Sequence, residues 1–141
     1  MESTNKNRLL FLLQYLYEHT NDDHKVSTSS LLDIIREHGI KVSRNTLSSD
    51  IKTITEAGFD IISSNGPNNE NLYHWGARTF DLPELKLLID AVSSARFINE
   101  KMSTRLIEKL ASLASLYDKM PLKARIYTAD RIKSDNRQIY P

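Results

Sequence analysis

Residues 26–58 read VSTSSLLDIIREHGIKVSRNTLSSDIKTITEAG, and this stretch decides the fold. Ser27 or Thr28 is a good N-cap, and Leu31, Leu32, Ile34 and Ile35 follow at helical spacing. The helix they predict stops at Gly39, a residue type suited to the left-handed position just past a helix end. Only Ile40 to Val42 separate Gly39 from the next start signal, Ser43. A further helix then runs to about Ala57 and ends at Gly58. Two helices joined by so short a turn containing glycine form the helix-turn-helix pattern.

The second of these helices carries the chemistry. Leu47, Ile51 and Ile54, at i, i+4 and i+7, turn one side into a core. The other side presents Arg44, Asn45, Ser48, Ser49 and Lys52, with Asp50 the only acid between residues 43 and 55. Guanidinium and amide groups pair in two-bond fashion with guanine and adenine in a major groove, each good pair giving roughly 1–3 kcal/mol of discrimination. Ser43 and the free N–H groups of the first turn suit a phosphate. Alone, such a helix reads as an ordinary amphipathic helix with a solvated face. After a three-residue turn and before a hairpin, it reads as a DNA-recognition helix.

Outward from this core, Phe59 to Ser64 and Leu72 to Trp75 are β-prone runs around the turn-rich NGPNNEN, which predicts a hairpin with a long tip. The tip, Asn65 to Asn71, has no Lys or Arg. Its asparagines and backbone amides can donate to phosphate, and a solvated loop explains it equally well. His74 and Trp75 are expected to close the hairpin against the core. Upstream, Asn5 to Thr20 predicts an amphipathic helix through Leu9, Leu12, Leu13, Leu16 and Tyr17. Lys6 and Arg8 in its first turn oppose the helix dipole, and a nearby phosphate would reverse that balance. Val26 is expected to form a short strand. His19, Asp22, Asp23 and His24 fit no zinc or calcium spacing and read as a polar connection; His38 suits a helix C-terminus.

After Trp75 the character changes. Asp81-Leu82-Pro83-Glu84 is a capping-box sequence, predicting a helix to about Ala95 with Leu85, Leu88, Ile89 and Val92 on one face. Asn99 caps another helix, striped by Leu106, Ile107, Leu110 and Leu113. Ala124 to Thr128 is a candidate strand, and the chain reads as cut rather than finished at Tyr140-Pro141. The expected fold class is mainly α with a small β-hairpin: a winged helix-turn-helix over 1–77, a helical linker or dimerisation segment over 78–118, and a tail over 119–141 leading toward an absent effector domain.

Composition excludes several classes. Among 141 residues, 40% hydrophobic and 26% charged is globular rather than disordered. The lack of cysteine removes disulfides, thiolate metal sites and a cysteine nucleophile. No apolar run is long enough to span a bilayer and no signal peptide is recognisable, so a cytoplasmic protein is expected. Nucleotide loops and a serine elbow are absent, so no enzyme, cofactor or metal site is expected. Net charge is +1, but residues 1–76 hold seven Lys/Arg against ten Asp/Glu, a balance of −3. That opposes phosphate binding, which draws on positive charge.

Three stretches resemble a known family: KVSTSSLLDIIREHGIKVSRNTLSSDIKTITEAGFDI, FDLPELKLLIDAVSSARFI and LIEKLASLAS. These are similar to bacterial transcriptional regulators with an N-terminal winged helix and a C-terminal WYL domain. The tail RIYTADRIKSDNRQIY is similar to the segment before that domain, so the likeness runs from about Lys6 to Tyr140. It implies that Ser43 to Ala57 is the recognition helix, with Arg44, Asn45, Thr46, Ser48 and Ser49 contacting DNA and Lys52 near the backbone. The WYL domain, which senses a ligand in the family, is missing, so no effector is assigned. The expected function is sequence-specific binding of double-stranded DNA in transcriptional regulation, through Ser43, Arg44, Asn45, Thr46, Ser48, Ser49 and Lys52, with Lys6 and Arg8 nearby. A homodimer is expected through the helices after Asp81, because two half-sites double the contacts. The alternative is a winged-helix protein–protein interaction module without DNA binding, which the −3 balance favours.

Overall fold

The computed structural model describes residues 2–122, which are mainly helical with one small antiparallel sheet. The elements run α1 (Glu2–His19), β1 (Val26–Ser27), α2 (Thr28–Glu37), α3 (Arg44–Glu56), β2 (Ile61–Asn65), a 3-10 turn (Pro67–Asn69), β3 (Asn71–Trp75), α4 (Leu82–Ser94) and α5 (Glu100–Ala111). Residues 116–122 are helical again. The chain divides after Gly76 into two compact units. No helix among the described residues is long and apolar enough to cross a membrane. The candidate strand at Ala124 to Thr128 lies outside the described residues.

Local chemistry sets the helix ends. Ser27 caps α2 by accepting from the Ser30 N–H at 3.1 Å, and Ser43 caps α3 by accepting from the Thr46 N–H at 3.1 Å. Each bond satisfies a donor that the first helical turn leaves without a partner, worth about 1 kcal/mol. α2 ends where Gly39 takes φ +79°, a left-handed value that a side chain resists, and its N–H returns to the Arg36 carbonyl at 2.9 Å.

In the first unit, Leu12, Leu16, Leu31, Ile35 and Leu47 are completely buried, with Val26, Ile51, Ile54, Ile61, Tyr73 and Trp75 completing the core. The expected hairpin gains a third strand, giving the order β1-β3-β2, because Val26 pairs with Tyr73 on the open edge of β3. β2 begins at Ile61 rather than Phe59: the Phe59 N–H still bonds the Ile54 carbonyl at 3.4 Å, so Gly58 and Phe59 belong to the exit from α3. Trp75 closes the hairpin as expected, 9% exposed and edge-on to Tyr17 at 5.0 Å. Its N–H donates to the buried Thr20 hydroxyl at 2.8 Å, and that hydroxyl donates to the Leu16 carbonyl at 2.5 Å. The end of α1 is thereby tied to the central strand. His74 is also buried, with Nε2 3.1 Å from Asp22 Oδ1.

The second unit has its own core of Leu85, Ile89, Ile107, Ala111, Ala114 and Leu122. The capping box is formed in both directions: Glu84 N–H donates to Asp81 Oδ1 at 2.8 Å and Asp81 N–H to Glu84 Oε1 at 2.9 Å. Asn99 caps α5 through the Met102 N–H at 2.8 Å. Val92, Leu110 and Leu113 are half-buried flanks of this core, as their spacing implies, and Leu88 is half-buried as well. Leu87, Phe97 and Met120 are left 70–90% exposed.

Candidate nucleic-acid interface

A helix between a core and solvent sorts its residues by periodicity, and α3 does so cleanly. Leu47, Asp50, Ile51 and Ile54 are buried, while Arg44, Asn45, Ser48, Ser49 and Lys52 are exposed together with Ser43 before them. Thr46 is half-buried, and its N–H and hydroxyl are taken up with Ser43 in the cap.

Asp50 is turned inward because Arg8 meets it there. Arg8 Nε donates to Asp50 Oδ2 at 2.5 Å and Nη2 to Oδ1 at 3.1 Å, while Nη1 donates to Asn5 Oδ1 at 3.0 Å. Arg8 is 8% and Asp50 7% exposed. The expectation that Arg8 reaches a phosphate is therefore corrected: it lies on the Arg8-Leu12-Leu16-Thr20 stripe of α1, and its charge is occupied with a buried carboxylate. Hydrogen bonding to Asp50 raises the arginine's pKa above its ordinary value, against the opposing effect of burial. The helix face around Arg44 to Thr53 is left without a carboxylate of its own. Lys6, two residues before Arg8, is exposed.

The hairpin tip supplies an acid instead. Asn68 (φ 59°) and Asn69 (φ 61°) both adopt left-handed backbone, which asparagine tolerates better than other side chains. Gly66 lets the returning strand pass close, since a Cβ there would sit 2.7 Å from Leu72 Cγ. This tight tip delivers Glu70 to the start of α2. Its Oε1 accepts from the Ser29 N–H at 2.7 Å and from the Ser29 hydroxyl at very short range. Arg44 joins from α3, donating Nη2 to Ser29 Oγ at 2.7 Å and Nη1 to Glu70 Oε1 at 3.4 Å. The Ser29 hydroxyl, then its N–H, then Arg44 hold the Glu70 carboxyl below the usual carboxylate range.

The sequence-predicted residues thus divide. Arg44, Asn45, Ser48, Ser49 and Lys52 share one helix face; Ser43 and Thr46 are engaged in capping; Arg8 is interior. Glu70 and Ser29 were missed, and nothing local announces them, because they meet across 41 residues of chain. A groove lined by Phe11, Tyr15, Ile34 and His38 contains none of the expected residues. His38 ends α2 as expected, its ring 4.1 Å from that of Phe11. Among the described residues no group of three or more His, Asp or Glu is arranged to hold a metal ion. In comparisons with known proteins, the chain matches no family model, no curated protein and no solved structure.

Proposed function

We propose that the first unit is a winged helix-turn-helix that binds double-stranded DNA in sequence-specific fashion, α3 entering the major groove and the β2–β3 hairpin acting as the wing. The exposed row of Arg44, Asn45, Ser48, Ser49 and Lys52, with Asp50, the one acid between residues 43 and 55, turned inward onto Arg8, carries the proposal. Short and planar donors exposed along one helix face are what base edges require. Lys52 and Lys6 supply charge for the phosphates. Together with the resemblance to WYL-domain regulators, this supports a cytoplasmic transcriptional regulator. The apolar residues left exposed on the second unit, Leu87 and Phe97 among them, support self-association as a homodimer.

Selection of bound duplexes from a random pool, followed by titration at several salt concentrations, tests the proposal. An enriched sequence is expected, with a log–log salt slope of about −0.9 per neutralised phosphate. Failure to retain any duplex at low salt overturns it.

A second reading is a winged-helix module that binds another protein. The −3 balance of residues 1–76 and the carboxylate of Glu70 beside Arg44 favour it. The same selection separates the two.

A further inference from the structure

Arg44 and Glu70 form a unit whose logic goes beyond supplying one cation. A free arginine at the start of a recognition helix can swing to a phosphate, where it gains affinity and reads nothing, or to a base, where it specifies. Two contacts limit that choice. Nη2 is held by the Ser29 hydroxyl and Nη1 faces Glu70, so two of the guanidinium's five N–H donors are committed and the others remain open. Glu70 is itself held by the backbone and hydroxyl of Ser29, so it cannot swing away with the arginine. Arg44 is the outer partner, 60% exposed against 25% for the Glu70 side chain. A phosphate approaching the Nη edge is repelled as an anion by a fixed negative charge, whereas the neutral acceptors of a guanine edge are repelled far less.

We propose that Glu70 is a specificity-determining positioning residue: anchored by Ser29 on α2, it aims Arg44 at a base edge and repels phosphate from it. The proposal rests on the DNA-binding reading above. It assigns the hairpin tip a role through α3, where the sequence left a phosphate contact by its asparagines and a solvated loop equally open.

The test compares Glu70→Gln, Arg44→Ala and the double variant with the unaltered full chain, on the selected duplex, its single-base variants and random duplex. Glu70→Gln is expected to lower discrimination at one base position about fivefold or more, the scale of one lost two-bond contact. Binding to random duplex should tighten, and the salt slope should steepen by about 0.9 as Arg44 moves to a phosphate. Arg44→Ala should lose the same discrimination, and the double variant should lose no more than Arg44→Ala. Ser29→Ala, which removes the hydroxyl part of the anchor and keeps the backbone N–H and both charges, should shift discrimination in the same direction by less. Retained discrimination in Glu70→Gln, or specific and random binding that weaken together, overturns the proposal while leaving DNA binding intact. Failure of the unaltered chain to select any sequence is visible before any variant is made, and it removes the reading beneath.

Discussion

The start and the middle of α3 each join an arginine to a carboxylate, and the two pairs do opposite things. Arg8 and Asp50 meet in the interior, nearly shut off from water, with two bonds between planar groups. Arg44 and Glu70 meet at the surface through one long contact and a shared serine. The buried pair fixes the rotation of α3 about its axis, because Asp50 must face α1 whenever Leu47 and Ile54 face the core. The surface pair adds little stability and governs instead which way a donor-rich side chain points. Identical charges serve architecture in one solvent and, in the role proposed for Glu70, recognition in the other.

The sharpest way to break this contrast is to remove one member of each pair. Asp50→Ala should cost about 3–5 kcal/mol in chemical denaturation, since it strands a buried guanidinium. Joint replacement Arg8→Met with Asp50→Leu should recover most of that loss. Arg44→Ala should instead change stability by well under about 1 kcal/mol. A similar loss from both single changes would erase the distinction.

Next in size are the effects on duplex binding. Arg44→Ala and Asn45→Ala should each remove roughly 1–3 kcal/mol of base discrimination, read from affinities for single-base variants. Lys52→Ala should weaken all sequences alike and flatten the salt slope by about 0.9.

Acidity separates the pairs by sign. Glu70 is more acidic folded than unfolded, so its contribution is complete above the usual carboxylate range and disappears as pH falls through the lowered value. The melting difference between the unaltered chain and Glu70→Gln should therefore vanish in acid. Arg8 is shifted upward, so its contribution is present throughout the neutral range and would be lost only in strong alkali. A difference that persisted unchanged into acid would show that Glu70 acts through shape rather than charge.

The order of α2 to α5 was legible in the sequence because each of these helices carries its own start: Ser27, Ser43, Asp81 and Asn99 all cap as their residue types imply, whereas no such signal announced the helix over 116–122. The exposed row of α3 followed from its apolar spacing. The Arg8–Asp50 pair was legible in principle, since Arg8 is four residues before Leu12 and Asp50 lies between Leu47 and Ile54 on their stripe. Periodicity placed both on inward faces, and assigning Arg8 to phosphate on charge alone overlooked it. Pairing of Val26 with Tyr73 and delivery of Glu70 to Ser29 were not legible, because both depend on how a hairpin folds back across some forty residues. No propensity or spacing rule carries that information.

The chain contains a single tryptophan. Trp75 stands in the first core between Tyr17 and Phe59, with the second unit beginning two residues later. Its fluorescence therefore monitors the melting of residues 1–76, while far-ultraviolet circular dichroism sums the helices of both units. Two optical curves that fail to superimpose on heating would mark separate cooperative transitions, and coincident curves would mark a chain that unfolds as one.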